Sequence, residues 1–232
     1  MSASTSPDRN ARQKAAGQTV AKILLDIKAV NFRPEEPYKL TAGWASPVYI
    51  DCRKLISFPE ARQTVTALAK EEIEESVGRG AIDTVAGGET AGIPYAAWIS
   101  DALMLPMQYV RKKPKGFGRM AQIEGELDEG QRVILVEDLA SDGGSKLLFV
   151  NALRDAGAIC EHCFVVFFYG ALPGAIESLQ KENIALHYLC TWADVLDAAE
   201  AGNYFPSEAI AGVRKFLEDP VAWSVAHGGK GA

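Results

Sequence analysis

Two adjacent acids, Glu137 and Asp138, stand between an apolar run and a small-residue loop in VILVEDLASDGGSKL, residues 133–147. The run VILV reads as a buried strand. After the acids come Leu139, Ala140, Ser141, Asp142, Gly143, Gly144 and Ser145, and then a helical pattern. Small residues let backbone N–H groups approach an anion, and a helix N-terminus adds partial positive charge. The loop therefore reads as a phosphate cradle. It lacks the lysine of a P-loop, so ATP hydrolysis is not implied. Carboxylates beside such a cradle could accept hydrogen bonds from sugar hydroxyls or reach a hydrated Mg2+. Neighbouring strand residues point to opposite faces, so the acids act together only if the strand ends at them. Asp142 brings a negative charge into the cradle; it must turn away from the anion or bond a neighbouring amide as an Asx turn. An ordinary turn with solvated acids is the competing reading, and the loop alone leaves both open.

Two other stretches carry chemistry. RKKPKGFGR holds Arg111, Lys112, Lys113, Lys115 and Arg119 within nine residues. Pro114, Gly116 and Gly118 make it a mobile loop, and a cationic flap closing over a polyphosphate would stabilise charge developing on a leaving group. A solvated charge run is the plainer alternative. GGETAG, with Gly88, Glu89, Thr90 and Ala91, is a Gly-rich turn that does not match the dinucleotide fingerprint.

The elements that must position these loops alternate. Residues 1–15 are expected to be disordered and 16–30 helical. A proline- and aromatic-rich segment with strand-like pieces follows, then a helix from Pro59 to Gly78. From residue 83 on, DTVAG, MQYV, RVILV, CFVVFFY and IALHYLC read as strands, and IPYAAWISDAL, KLLFVNALRDAG and TWADVLDAAEAG as helices. The charged loop after MQYV ends in a hairpin. This alternation implies an α/β fold with a mostly parallel sheet covered on both faces. Ligands of such sheets sit beyond the carboxyl ends of the strands, and all three conspicuous loops fall there.

Bulk properties narrow the class. The chain has 232 residues, is 48% hydrophobic and carries a net charge of −6. That suits one sizeable core and argues against nucleic-acid or anionic-membrane partners. The apolar runs are far too short for a membrane span, and the polar N-terminus lacks a secretory core. Cys52, Cys160, Cys163 and Cys190 form no disulfide framework, so they read as reduced and the protein as cytoplasmic. Cys160 and Cys163 in CEHC lack a second pair and read as strand residues.

VILVEDLASDGGS resembles the binding motif for phosphoribosyl pyrophosphate (PRPP) of type I phosphoribosyltransferases. The resemblance implies that Glu137 and Asp138 hold the ribose 2- and 3-hydroxyls and that residues 139–145 hold the 5-phosphate. Within that family the chain is similar to the orotate branch. LTAGWASPVYIDCRKLISFP is similar to the branch's N-terminal signature, LKSG-x-x-SP-x-Y-x-D-x-R, and YVRKKPKGFG followed by IEG to its catalytic flap. The segments run in the expected order from about Leu40 to Gly157.

The implied fold is a mostly parallel five-stranded sheet with helices on both faces and an N-terminal hood. The expected organisation is tail, helix and hood over 1–60, core over 61–202, and C-terminal helix and tail over 203–232. The implied activity moves ribose 5-phosphate from PRPP to orotate, releasing pyrophosphate in de novo UMP synthesis. Lys115, Arg111 and Asp138 are the implied catalytic residues, Arg111, Lys112 and Lys115 closing on pyrophosphate. Gly88, Glu89, Thr90 and Ala91 form the pyrophosphate loop. Val48, Tyr49 and Ser141 are expected against orotate. Mg2+ is the implied cofactor, held mainly by PRPP and water with no direct protein ligand. A homodimer sharing its flaps is the implied assembly.

The departures are specific. Positions that carry lysine, lysine and histidine in the branch fall on Thr41, Ala91 and Phe117. The arginine segment after the last core strand appears as FFYGALPG, and Asp142 replaces a threonine. Lys39, Lys113 and Arg119 are candidates for compensation. Transfer to another base and a non-catalytic PRPP-binding regulator are the rival readings.

Overall fold

The computed structural model describes residues 7–40, 43–116, 118, 121–141, 144–171 and 174–231, with side chains from residue 11 onward. Thr41, Phe117, Arg119, Asp142 and Gly143 lie outside the described residues.

Helix α1 (Pro7–Asp26) opens the chain. A hood of short strands follows: β1 (Val30–Phe32), β2 (Tyr38–Lys39), β3 (Ala45–Ser46) and β4 (Val48–Ile50). Strand β1 pairs antiparallel with β4, and β2 with β3. A 3₁₀ turn, Cys52–Ser57, leads into α2 (Pro59–Ile73), which ends in a π-helical turn, Glu74–Gly78. The core alternates: β5 (Thr84–Gly88), α3 (Gly92–Leu103), β6 (Met107–Val110), β7 (Ile123–Glu124), β8 (Arg132–Ala140), α4 (Gly144–Asp155), β9 (Ile159–Phe168), α5 (Ala175–Lys181), β10 (Ala185–Thr191) and α6 (Trp192–Ala201). Helices α7 (Ser207–Glu218) and α8 (Pro220–Ala226) complete the described chain.

The sheet order is β10-β9-β8-β5-β6-β7. Its first five strands are parallel, as the alternation requires, and the short hairpin strand β7 adds a sixth, antiparallel to β6. Strand β8 is central, and Val133 to Val136 are almost wholly buried because helices cover both faces. Ile134 and Val136 face a core shared with α1, α2, α3, α6 and the hood. Val133 and Leu135 face the second core, with α4 and α5. At the amino end, Arg132 donates from Nη2 to Asp83 Oδ1 at 2.6 Å, tying the start of β8 to that of β5.

Three expectations change. Residues 7–15 are helical, not disordered. Residues 11–15 of α1 lack apolar spacing because most of them are exposed, and Arg12 pairs with Glu75 at 2.5 Å. Strand β8 runs on through the acids to Ala140, because Leu139 and Ala140 pair with Phe167 and Phe168 at the carboxyl end of β9, which itself starts earlier than the apolar pattern suggests. Cys160 and Cys163 lie buried in that longer β9. Helix α5, with only seven residues, carries too short a pattern to be read.

The C-terminal segment straps the hood. Buried Ser224 accepts the Ala45 N–H at 3.0 Å and donates to the Lys230 carbonyl at 2.8 Å. The Lys230 N–H bonds the Gly43 carbonyl at 2.8 Å, and its ammonium lies 5.2 Å from the centre of the Trp44 ring. Replacing Ser224 with alanine strands a buried amide and a carbonyl. Ser224→Ala is expected to lower stability by about 1–3 kcal/mol, read as a drop in the urea midpoint.

Candidate active site

Parallel strands bring four loops to one end of the sheet: those after β5, β6, β8 and β9. The site is built there, beneath the hood.

Because β8 continues past the acids, their side chains part. Glu137 points to the α4 side and Asp138 to the hood side, where its charge acts on Cys52, Tyr95 and Arg53. Glu137 is 6% exposed, and its Oε2 lies 3.7 Å from Lys146 Nζ. Its Oε1 has no hydrogen-bond partner among the described residues. Burial pushes the Glu137 carboxyl up to about 7, against the pull of the Lys146 ammonium. Burial also raises Asp138, opposed by Lys146, by the N–H groups of Leu139 and Asp138, and by Arg53.

Two glycines of GGETAG explain themselves here. A Cβ at Gly92 would lie 2.8 Å from Glu137 Oε1, and one at Gly88 would overlap that oxygen and lie 2.6 Å from the Phe149 ring. The turn is glycine-rich because the carboxylate fills the space of two side chains. Glu89 and Thr90 are joined by a cis peptide bond, and Ala91 stands just before α3.

The turn and the flap are fastened together. The Glu89 N–H bonds the Val110 carbonyl at 2.9 Å, and Glu89 Oε2 accepts the Lys112 N–H at 2.7 Å. The Arg111 N–H bonds the Gln122 carbonyl at 2.8 Å, and that of Lys115 bonds Ala121 at 2.7 Å. The Arg111 guanidinium turns back to Glu124, with Nη1 at 3.3 Å from Oε1. Its Nε is buried without a partner among the described residues. The side chains of Lys112, Lys113 and Lys115 are exposed.

The residues after the acids divide between strand and loop. Leu139 and Ala140 belong to β8, opposite Phe167 and Phe168 of β9. Ser141 begins the loop, and Gly144 and Ser145 open α4. The cradle is therefore shorter than the seven-residue loop expected.

The pairing of Val48 with Tyr49 against one ring needs correction. They are neighbours on β4 and face opposite ways. Val48 is wholly buried in the core, while Tyr49 is half-buried beside Tyr38, with its hydroxyl 3.3 Å from Arg53 Nη2. Tyr49 alone offers a side chain to a planar ligand. Lys39, a candidate for compensation, is exposed on β2.

Sequence reasoning missed several members of the site. Asp51 caps the 3₁₀ turn by accepting the Arg53 N–H, and grips Arg53 Nε at 2.6 Å. That pairing holds the guanidinium where it acts on Asp138. Tyr95 donates to the Cys52 carbonyl at 2.6 Å, and the Ser46 and Tyr169 hydroxyls meet at 2.6 Å. Tyr169 also donates its N–H to Ala140, so the hood is bonded to the carboxyl end of β8. Asp51 and Arg53 were visible as the D-x-R of the hood motif. Lys146 carried no signal, since a lysine in a first helical turn reads as solvated.

Residues 55–187 match the Phosphoribosyl transferase domain family. The chain is 54% identical over 207 residues to an orotate phosphoribosyltransferase of a Ruegeria species, covering 89% of this chain and 92% of that one. The chain belongs to this family. The fold is similar to the crystal structure of orotate phosphoribosyltransferase from Aeropyrum pernix, with TM-score 0.68 and 29% identity over 81% of this chain and 99% of that one. It is also similar to the Mycobacterium tuberculosis enzyme in complex with PRPP, with TM-score 0.59 and 25% identity over 78% and 98% of the two chains.

The raised carboxyl of Glu137 links stability to pH. An acid whose folded value, about 7, exceeds its ordinary 4.5 favours the folded chain while protonated. That contribution is complete below the ordinary value and is lost as pH rises through the folded one. In the ligand-free protein, stability relative to Glu137→Gln is expected to fall by on the order of 3 kcal/mol between pH 4.5 and 7.5. Denaturant titrations of both proteins across that range check it; parallel curves would contradict it.

Proposed function

We propose that the chain transfers ribose 5-phosphate from PRPP to orotate, giving orotidine 5-monophosphate and pyrophosphate. One observation carries the reading: the two acids flank the end of the central strand, between a helix N-terminus and a cationic flap fastened to a glycine turn. Anion, sugar and leaving-group functions meet there, and the family comparison supplies the chemistry that unites them.

In this reading the ribose lies across the end of β8. Asp138, the more exposed acid, and Glu137 accept hydrogen bonds from its hydroxyls. N–H groups of the loop that begins at Ser141, with those of Gly144 and Ser145, receive the 5-phosphate at the positive end of α4, a helix of twelve residues. The glycosidic C–O bond breaks as orotate N1 approaches the anomeric carbon, and positive charge grows on the ribose. Orotate is already an anion, so no strong general base is needed. Its ring rests on Tyr49, and Ser141 reaches its edge. Gly88 to Ala91 and the flap receive pyrophosphate. Arg111 leaves Glu124 and Lys115 swings inward, stabilising the departing charge.

Mg2+ fits this site as an ion carried by the donor. In this reading the residues that hold PRPP would hold the ion with it. Bound so, it supplies electrostatic clamping of the diphosphate oxygens. We further propose a homodimer in which each flap serves the neighbouring site, in the cytoplasm, where the four buried thiols stay reduced.

The deciding assay incubates the protein with PRPP, Mg2+ and a panel of bases and follows pyrophosphate and nucleotide. Orotidine 5-monophosphate as the dominant product is expected; transfer to a purine alone, or donor binding without turnover, would displace the reading. Lys115→Ala is expected to lower kcat about a hundredfold, near 3 kcal/mol of barrier, with little change in orotate KM. Asp138→Asn is expected to weaken PRPP binding about tenfold or more, measured by calorimetry, because a charged acceptor is lost.

A further inference from the structure

Lys146 has no part in the reaction as assigned, yet it is among the most buried charged groups of the chain. It is 5% exposed on the first turn of α4. Its ammonium donates to the Leu139 carbonyl, lies 3.2 Å from Ser145 Oγ, and stands 3.7 Å from Glu137 Oε2. A buried ammonium is costly unless it is paired and bonded, and here two hydrogen bonds and one ion pair offset that cost. Every contact belongs to the donor-binding segment. One is an acid assigned to the ribose, one is a carbonyl at the strand end, and one is the hydroxyl at the helix start.

We propose that Lys146 is a positioning residue for the donor, holding the Glu137 carboxylate and both ends of the phosphate loop as one charged unit. The proposal rests on the donor site assigned above. The ammonium acts in two ways. It favours the ionised form of Glu137 and holds the carboxyl group so that Oε1 keeps no partner among the described residues. It also covers the Leu139 carbonyl, whose negative end would otherwise lie beside an anion. A fixed positive charge is thereby supplied from beneath the site, in a chain that has alanine at position 91 of the pyrophosphate turn.

Few other charges compete. The charged or titratable groups acting on Glu137 are Lys146 from α4, Lys112 from the flap, Asp138 on its own strand and the Cys163 thiol on β9. Gly88, Gly92 and Phe149, which enclose it, carry no charge. Lys146 comes first among the groups that favour its ionised form.

The experiment measures the calorimetric Kd of PRPP with Mg2+ from pH 5.5 to 9 for the wild type, K146M, E137Q and K146M/E137Q. Ionisation of the donor is common to all four and cancels in the comparison. In K146M the acid-side weakening is expected to move up by about one pH unit, so that binding near pH 7 falls about fivefold and recovers towards pH 9. In the E137Q background, Lys146→Met should weaken binding less than it does in the wild type, because one of its two actions runs through the acid. Removing both charges leaves neither one buried alone, so a K146M chain that folds only when E137Q accompanies it supports the same coupling. Three outcomes would overturn the proposal: an unshifted acid side in K146M, an equal loss in both backgrounds, or, where K146M fails to fold, a double variant that folds no better. A wild type that binds PRPP but transfers nothing to orotate would sink the assigned reaction alone, since the readout is donor binding.

Discussion

A carboxylate held almost out of water at the end of the central strand is the constraint around which this site is arranged. Ionised alone in that place, Glu137 would cost several kcal/mol. The fold answers with the Lys146 ammonium on one side and with two glycines whose missing side chains admit the carboxyl group. The glycine turn is thus shaped from within, by the acid, as much as from without by any ligand. The same residues that tolerate Glu137 also fix the distance between the turn after β5 and the start of α4.

Asp138 meets a different environment because a strand alternates. Its neighbours come from the hood and α3, and its charge is opposed first by Lys146 and then by Arg53, which Asp51 grips. Lys146 therefore serves both acids, and Arg53 adds a second cation from the hood side of Asp138. Hood and core are coupled through this arrangement: the Ser46–Tyr169 bond, the Tyr95–Cys52 bond and the Ser224 strap hold Arg53 over the strand end. Such distant contributions act on the site through position, not through contact with a ligand.

Legibility in the sequence followed the range of the interaction involved. The parallel strands were readable because each is a short apolar run closed by turn residues, as in VILV and DTVAG. The three site loops were readable because loops at strand ends carry unusual residue types. The end of β8 was not, since pairing of Leu139 and Ala140 with the end of β9 decides it, and the start of β9 was not, since the polar members of CEHC hide its first residues. Residues 11–15 of α1 were hidden because solvent-facing helix has no apolar period. Val48 and Tyr49 were assigned jointly because a motif names both, whereas β geometry separates them. Lys146 was unreadable for a deeper reason. Its meaning depends on a burial that only the packing of α4 against β8 creates.

The cations of this site divide by environment, and the division has a physical logic. Lys112, Lys113 and Lys115 are exposed on the flap, where water screens them and they add little until a polyphosphate displaces that water. Lys146 and Arg53 are fixed by bonds within the fold and act before any ligand arrives. Fixed charges cost no reorganisation during reaction, but they must be balanced at rest, and the two acids provide that balance. Mobile charges need no such balance, but they must be ordered at each turnover. A site for a tetra-anionic sugar diphosphate gains from both kinds. In the proposed reaction the fixed pair would hold the sugar end in register, while the flap would answer the charge that grows only as pyrophosphate leaves. An overall acidic chain can still present local positive charge to an anionic ligand, through Lys112, Lys113 and Lys115 on the flap and Lys146 and Arg53 beneath it.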